Sequence, residues 1–339
     1  MNKIIAEDIQ NILSEPLPWG ELDGKTVLIT GATSGFLSYI AFALLELKTV
    51  NVIAVVRNIE KAHKIYLNYL NNGKLRFFVC DVSQKADFNK LGKIDYIIHG
   101  AMLASPINYV NYPMDCVWTA VFGSYRILEF AKEINAKVFL TSSSSVYGEP
   151  KNENPVNEDD YGKCDPTNIR AFYAESKRIQ ETLFVAGHKQ HHLDVFIGRF
   201  PNMYGPNTPV GNGQSLGDFI ANVLNNEDII IRSDGLAKRE YLYISDAAGA
   251  LFTILLKGKV CEPYNVAANS LYTMKELAQN IQEAARIIKR YAGKILILNE
   301  EDKQGRQRLI RLNAQRLNAI GWTGKTDLFV GLRRYFEQA

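Results

Sequence analysis

The sequence predicts an α/β fold: a doubly wound parallel sheet with a smaller interleaved lobe. Short apolar runs alternate with helical stretches, and each run ends in small or polar residues. After Arg199 this rhythm breaks into a segment rich in Pro, Gly and Asn. Strands that are apolar throughout are buried on both faces, as in a parallel sheet covered by helices. The length of 339 residues is enough for such a core and a satellite lobe.

The first 23 residues form an appendage in this interpretation. Ile4, Ile5, Ile9 and Ile12 recur at helical spacing, and Pro16 follows them. We therefore expect residues 1–23 to form a helix docked on the main domain. We expect residues 24–198 to form the sheet domain and residues 199–339 mainly the lobe, with some elements returning to the sheet.

Six apolar runs predict the strands of the sheet. They lie at 27–29, 50–56, 75–79, 94–98, 137–140 and 193–197. Helices are predicted at 36–47, from the second run to about residue 70, at 247–256 and at 273–292. Ligands of open α/β sheets bind at the carboxyl ends of the strands, so we look for the site there.

Composition excludes several classes of protein. The 39 basic and 36 acidic residues nearly cancel, and no Lys/Arg block is present, so we expect no nucleic-acid partner. No stretch approaches 18 apolar residues, which excludes a membrane span. The four dispersed cysteines form no CxxC pair, which suits a reducing cytosol, and we expect no metal site. Glu7 and Asp8 stand where a signal peptide would be apolar, so we expect a cytoplasmic protein.

The first strand runs into a turn rich in glycine and serine that opens a helix. Glycine lets the backbone approach a pyrophosphate, and a helix N-terminus offers free N–H groups. The spacing Gly31-x-x-x-Gly35-x-x-Ser38 is irregular, and ordinary turns also use glycine. Its place after the first strand predicts a dinucleotide site. The expected contacts are Gly31, Thr33, Ser34, Gly35, Phe36 and Leu37.

The end of the second strand bears on the choice of cofactor. An acidic residue there would bind the ribose 2′-OH of NAD, whereas an Arg holds the 2′-phosphate of NADP. Arg57 and Asn58 occupy the position, so NADP stays open; the alternative is a solvated Arg in a loop. Asp81 and Val82, after the third strand, suit contacts to adenine, although an Asp there is also a common helix cap.

Tyr173 and Lys177 lie four residues apart, on one face of a predicted helix. A nearby ammonium stabilises a phenolate and lowers its pKa, so the pair can take a proton from a substrate hydroxyl. Ser143, at the end of the fifth strand, can hydrogen-bond the reacting oxygen. The alternatives are an ordinary surface helix and a polar loop over residues 142–145.

These features together resemble extended short-chain dehydrogenases, and more narrowly the NAD-dependent epimerase/dehydratase family acting on nucleotide sugars. The resemblance rests on the Gly31 turn, His99-Gly100-Ala101, Ser143 with Val146-Tyr147-Gly148, and Tyr173 with Lys177, and covers about residues 24–335. It implies a Rossmann-type domain, bound NAD with Ala101 among its contacts, a nucleoside-diphosphate sugar substrate, and a homodimer through helices near 112–134 and 169–189.

The resemblance also implies substrate contacts. They are Ser144, Ser145 and Tyr147 beside Ser143, Asn202, and Arg239 of the Arg239-Glu240-Tyr241 stretch. Arg306 suits a doubly charged diphosphate but is equally a surface ion-pair partner. Phe219 is expected to flank the nucleobase, with core packing as the alternative.

Residues 104–109 and 170–178 are most similar to UDP-glucuronate decarboxylases. Decarboxylases and 4,6-dehydratases carry Glu where this chain has Ser145, and the dehydratases carry Asp where it has Ser144. The expected function is therefore NAD(P)-dependent oxidation of a ring hydroxyl, usually at C4 in the family, with net epimerisation. Simple 4-dehydrogenation is the next alternative. Decarboxylation or dehydration would need a carboxylate such as Glu149 or Glu175, and a non-catalytic nucleotide-binding protein is the rival from another class.

Overall fold

A seven-stranded parallel sheet runs through the larger part of the molecule in the computed structural model, which describes residues 2–169, 171–268, 270–300 and 310–338. The strands are β1 (Thr26–Thr30), β2 (Asn51–Val56), β3 (Leu75–Val79), β4 (Tyr96–His99), β5 (Lys137–Ser143), β6 (Val195–Phe200), β7 (Asn202–Tyr204), β8 (Ile229–Ile231), β9 (Lys238–Tyr243), β10 (Pro263–Asn265), β11 (Leu271–Thr273) and β12 (Ile295–Ile297). The sheet order is β10-β6-β5-β4-β1-β2-β3, and each adjacent pair is parallel. The predicted fold class is confirmed.

Helices cover both faces of this sheet. They are α1 (Lys3–Leu13), α2 (Gly35–Glu46), α3 (Ile59–Ile65), α4 (Pro106–Asn111), α5 (Pro113–Trp118), α6 (Ser124–Ile134), α7 (Ala171–His191), α8 (Ser215–Leu224), α9 (Ile244–Lys257), α10 (Met274–Lys289), α11 (Gln315–Asn318) and α12 (Leu328–Gln338). Helix α2 is buried along almost its whole length because it lies between β2 on one side and α1 and α9 on the other. That position explains why its sequence is apolar all round rather than amphipathic.

The strand bounds of the main sheet differ from the predicted runs by up to three residues, and one strand of that sheet was not predicted. β6 begins and ends later than predicted, so that Gly198 and Arg199 lie within the strand. β10 was not predicted at all. β10 begins with a proline and pairs with β6 at the edge of the sheet. Its three residues are too few to show the hydrophobic pattern of a strand.

The smaller lobe is built from two short sheets and the helices that pack on them. One sheet has the order β11-β9-β7, and the other pairs β12 with β8. Helices α8 and α10 pack against β8, whereas α9 returns to the main sheet and packs on β6. Within the described ranges, no helix is both long enough and apolar enough to span a bilayer.

Helix α1 is joined to the main domain by a buried carboxylate. Asp8 is 1 % exposed and lies where α1 meets α2, α9 and α12. Its Oδ2 accepts hydrogen bonds from the hydroxyls of Tyr39 (3.0 Å) and Tyr243 (2.8 Å). Its Oδ1 accepts from Arg334 Nη2 at 2.7 Å. The expected docking of the N-terminal helix is thus held by polar as well as apolar contacts.

We predict that Asp8→Ala lowers the free energy of unfolding by about 3 kcal/mol, because it leaves the Arg334 guanidinium and two hydroxyls without their buried partner. Urea denaturation followed by far-UV circular dichroism measures this difference. Glu7→Ala is the matched control, since Glu7 also pairs with Arg334 but is partly exposed, and we expect a loss below about 1 kcal/mol. Equal losses in the two variants would contradict the assignment.

Candidate active site

A cleft of about 760 Å³ runs along the carboxyl ends of β1 to β5 and reaches β7 and β9 of the smaller lobe. Most of the sequence-predicted site residues line it. They are Gly31, Thr33, Ser34, Gly35, Phe36, Arg57, Asp81, Val82, Ala101, Ser143, Ser144, Ser145, Tyr173, Asn202 and Arg239. Residues predicted separately to bind cofactor and substrate therefore share one cavity.

The other predicted residues that the structure describes do not line this cleft. Leu37 is buried in α2, and Phe219 is buried in α8 within the core. The side chain of Asn58 caps α3 by accepting a hydrogen bond from Lys61 N at 2.8 Å. The buried Tyr147 hydroxyl donates to Asn265 Oδ1 at 2.6 Å. Arg306 lies outside the described residues, and Lys177 lies behind Tyr173.

The turn after β1 shows why glycine is required at residue 31. Gly31 has a φ of +74°, and a Cβ there would lie 3.0 Å from both Cα and N of Ala101. Ser34 caps α2, with its hydroxyl accepting from Leu37 N at 3.3 Å. The N–H groups of Gly35 and Phe36, which open α2, have no partner within the helix and are available to an anion.

Gly35 has a role that sequence reasoning did not anticipate. A Cβ at Gly35 would lie 2.8 Å from the carbonyl oxygen of Asn207. Gly35 therefore admits the backbone of the 207–208 segment. The space that a side chain at residue 35 would occupy is filled by the backbone of residues 207–208 and is not open to a ligand.

A buried pair holds the ends of β1 and β4 together. Thr30 Oγ1 accepts hydrogen bonds from the N–H groups of Gly100 (3.1 Å) and Ala101 (3.2 Å). Its own proton is then directed to His99 Nδ1, 2.8 Å away. Burial, helped by the Lys177 ammonium, lowers the pKa of His99 to about 3, so the imidazole is neutral. This arrangement fixes the Ala101 backbone where it contacts the cleft.

Ser143 and Tyr173 face each other across the cleft wall. Ser143 Oγ accepts a hydrogen bond from Ser145 N at 3.2 Å and lies 2.7 Å from Ser145 Oγ. Burial raises the pKa of Tyr173, while its hydrogen bond with Ser143 acts in the opposite direction. The ring of Tyr109 stacks on that of Tyr173 with centroids 5.5 Å apart, and it also lines the cleft. Sequence analysis had placed Tyr109 only within a stretch of family resemblance.

Lys177 is buried behind the tyrosine. It is 4 % exposed, and its Nζ donates to the carbonyl of Thr141 at 2.8 Å. The same Nζ lies 5.9 Å from the centre of the Tyr173 ring. Burial lowers the pKa of Lys177 to about 8. The expected lowering of the phenol pKa is not found in the free protein, because the ammonium lies over the ring and desolvation of the hydroxyl dominates.

Carboxylates are sparse in the described part of the cleft wall, where the acidic residues are Asp81 and Glu240. Asp81 Oδ1 accepts from the N–H (2.8 Å) and the hydroxyl (2.6 Å) of Ser83. These bonds close a turn, so Asp81 is not the helix cap that was its alternative. Glu149 is exposed and Glu175 pairs with Arg178, and neither lines the cleft. The two candidates for an elimination acid or base thus lie outside it.

Glu240 lies in the stretch Arg239-Glu240-Tyr241, and the sequence predicted no role for it. It is 4 % exposed, and its Oε1 accepts a hydrogen bond from Leu312 N at 3.1 Å. Within the described chain, its Oε2 is buried and has no hydrogen-bond partner. Burial raises the pKa of Glu240 to about 8, so the side chain is largely neutral at pH 7.

Comparison with known proteins shows which family this chain is similar to. The model of the family described as "NAD dependent epimerase/dehydratase family" matches residues 27–267. UDP-glucuronic acid decarboxylase 6 of Arabidopsis thaliana is 29% identical over 306 residues, which cover 90% of this chain and 86% of that protein. UDP-glucuronic acid decarboxylase 1 of Danio rerio is 29% identical over 94% of this chain and 73% of its own length.

Solved structures have the same fold. UDP-glucuronic acid 4-epimerase from Bacillus cereus, in complex with UDP-glucuronic acid and NAD, superposes with a TM-score of 0.80 at 20% identity, over 92% of this chain and 98% of that one. UDP-N-acetylglucosamine 4-epimerase from Methanobrevibacter ruminantium has a TM-score of 0.80 at 26% identity, over 93% of this chain and 98% of that one. The predicted resemblance is confirmed.

We predict that Glu240→Gln flattens the dependence of stability on pH. The pKa of Glu240 is higher in the folded chain than in the unfolded one, so its contribution is fully present below the unfolded value of about 4.5 and is lost as pH rises through about 8. Above pH 8 the variant should be more stable than the native protein, and the difference should shrink towards pH 5. Thermal melting across this range measures it.

Glu276→Gln is the control with the opposite sign. Hydrogen bonds from Thr273 lower the pKa of Glu276, so its contribution is lost as pH falls. Parallel pH profiles for the native protein and Glu240→Gln would refute a buried, neutral Glu240.

Proposed function

The chain belongs to the NAD-dependent epimerase/dehydratase family, and we propose that it oxidises a ring hydroxyl of a nucleoside-diphosphate sugar and returns the hydride to the opposite face. The observation that carries this proposal is the Ser143–Tyr173 pair, which opens into the same cleft as the Gly31 turn. The oxidised position is proposed to be C4, as is usual in the family. The net reaction is then epimerisation.

The cleft fits a nicotinamide dinucleotide. Gly31 brings the turn against Ala101, and the start of α2 offers N–H groups to a pyrophosphate. When bound, an oxidised nicotinamide dinucleotide supplies a hydride acceptor and a positive charge in the cleft. A positive charge there counters the effect of burial on the pKa of Tyr173.

The residues then have separate roles. Ser143 hydrogen-bonds the reacting oxygen, and Tyr173 takes its proton. Lys177 is proposed to act through the tyrosine: its Nζ is anchored on Thr141 O and lies over the ring. Asn202 and Arg239, on adjacent strands of the lobe, are proposed to hold the diphosphate.

Among the described residues no carboxylate lies next to Ser143, and this supports epimerisation over elimination of water. Elimination of water needs an acid and a base beside the reacting carbons, and Ser145 offers a hydroxyl at that point. Decarboxylation is the second candidate, because the relatives named above are UDP-glucuronic acid decarboxylases. A sugar with a keto group at C4 and a carboxylate on C5 is a β-keto acid, which can lose CO2 without such a base. The carboxylate that the sequence analysis required for both reactions is therefore needed for dehydration alone.

We predict that Tyr173→Phe reduces turnover of the accepted sugar nucleotide by at least about 100-fold, because the group that takes the proton is removed. UDP-glucose, UDP-glucuronic acid and UDP-N-acetylglucosamine serve as probes. Chromatography with mass spectrometry distinguishes an epimer of unchanged mass from a product that has lost CO2 or water.

The control is Tyr335→Phe, since Tyr335 is buried in α12 away from the cleft and should keep native turnover. Similar turnover in the native protein and Tyr173→Phe would remove the basis of the proposal.

The chain is also proposed to form a homodimer through the helices near 112–134 and 169–189, and exposed side chains in the first of these regions support this. Met114, Trp118 and Tyr125 are 67 %, 48 % and 52 % exposed and form an apolar stripe from α5 to α6, which the π-helical turn Thr119–Gly123 joins. Phe122 packs on Trp118, with ring centroids 4.4 Å apart, and continues the stripe. Exposed aromatic and Met side chains in one stripe are typical of an interface core.

We predict that Met114→Glu converts the dimer to a monomer, because it places a charge in a desolvated interface. Light scattering coupled to size-exclusion chromatography gives the mass. Val330→Glu, at a position 51 % exposed on α12, should leave the mass unchanged. A native protein that is monomeric at micromolar concentration would rule out the interface.

A further inference from the structure

The cleft has a cationic wall at the carboxyl end of β2. Arg57 directly follows the strand, and Lys61 lies in α3; both side chains are exposed and both line the cleft. Neither forms an ion pair with an acidic side chain in the part of the chain that the structure describes. The two cations therefore face the cavity with their charges uncompensated by the protein.

No carboxylate competes for this position among the described cleft residues. Glu60, the neighbour of Lys61, does not line the cleft. Asp81 does, but its Oδ1 is engaged by the N–H and hydroxyl of Ser83. The remaining acidic residue of the wall, Glu240, belongs to the lobe.

The backbone that carries the two cations is fixed. Asn58 stands between them in sequence, and its side chain accepts a hydrogen bond from Lys61 N at 2.8 Å, which caps α3. Asn58 is thus used within the protein rather than offered to a ligand. Arg57 and Lys61 remain as the groups that this segment presents to the cleft.

The end of β2 is where a doubly wound sheet meets the adenosine ribose of a dinucleotide. A 2′-hydroxyl there is normally recognised by an Asp or Glu that accepts a hydrogen bond from it, and the described wall has no such residue at this point. A 2′-phosphate carries up to two negative charges and is matched by a guanidinium and an ammonium.

We propose that this chain selects a dinucleotide with a 2′-phosphate, NADP(H), over NAD(H), and that Arg57 and Lys61 are the selecting residues. This inference rests on the proposed function, because it assumes that the cleft holds a nicotinamide dinucleotide. It departs from the NAD named in the description of the family.

Direct binding tests the proposal without relying on turnover. The full-length protein is titrated with NADPH and with NADH, following nicotinamide fluorescence and, independently, heat. We expect NADPH to bind at least about tenfold more tightly, with an affinity that falls as salt is raised. Dinucleotide released by denaturing the purified protein should be NADP(H) by mass spectrometry.

Variants assign the preference to residues. Arg57→Ala and Lys61→Ala should each weaken NADPH binding by about fivefold or more and leave NADH binding within about twofold. The matched control is Lys64→Ala, an exposed lysine of the same helix that does not line the cleft, and it should change neither affinity.

Each contrary result has a definite meaning. If NADH binds as tightly as NADPH or more tightly, the inference is wrong and the proposed function still stands. The same holds if Arg57→Ala weakens the binding of both dinucleotides equally. Binding of neither dinucleotide overturns both proposals.

Discussion

The ion pair between Arg199 and Glu181 is the constraint on which the geometry of the cleft depends. Arg199 is 1 % exposed in β6, and its Nε and Nη2 donate to the two oxygens of Glu181 on α7 at 2.9 and 2.7 Å. Its Nη1 donates to the Tyr147 hydroxyl at 2.7 Å. A buried bidentate pair of this kind is costly to break from one side, so α7 is held against the sheet in one position.

This constraint places Tyr173 and Lys177. Both lie on α7 before Glu181, and Lys177 is tied independently to the carbonyl of Thr141 on β5. The helix is thus fixed to two strands through two buried cations. Because the side chains are anchored from behind, the phenol reaches the cleft while the ammonium does not. Tyr147, predicted as a substrate contact, instead accepts a hydrogen bond from Arg199 and so helps to hold this ion pair.

The sequence located the cleft but not the direction of every side chain. Strand ends can be predicted because apolar runs stop there, and most residues chosen on that basis do line the cavity. Tyr147 and Phe219 do not, since spacing alone cannot say which face of a short turn or helix points inward. Glu240 depends on Leu312, which is distant in sequence, and Gly35 depends on the 207–208 backbone. Contacts between remote segments leave no local pattern to detect.

The distribution of charge in the cleft bears on the net reaction. Arg57, Lys61 and Arg239 line it, while Asp81 is engaged by Ser83 and burial keeps Glu240 largely neutral at pH 7. The cavity is therefore cationic although the whole chain carries only +3, which suits two diphosphate ligands. Epimerisation returns its hydride within one binding event and consumes no cofactor. A choice between NAD and NADP alters the direction of the reaction only if the cofactor exchanges with its cellular pool. Net epimerisation, as proposed above, therefore works with either dinucleotide, and the proposed role of Arg57 and Lys61 is to select which dinucleotide is bound rather than which reaction follows.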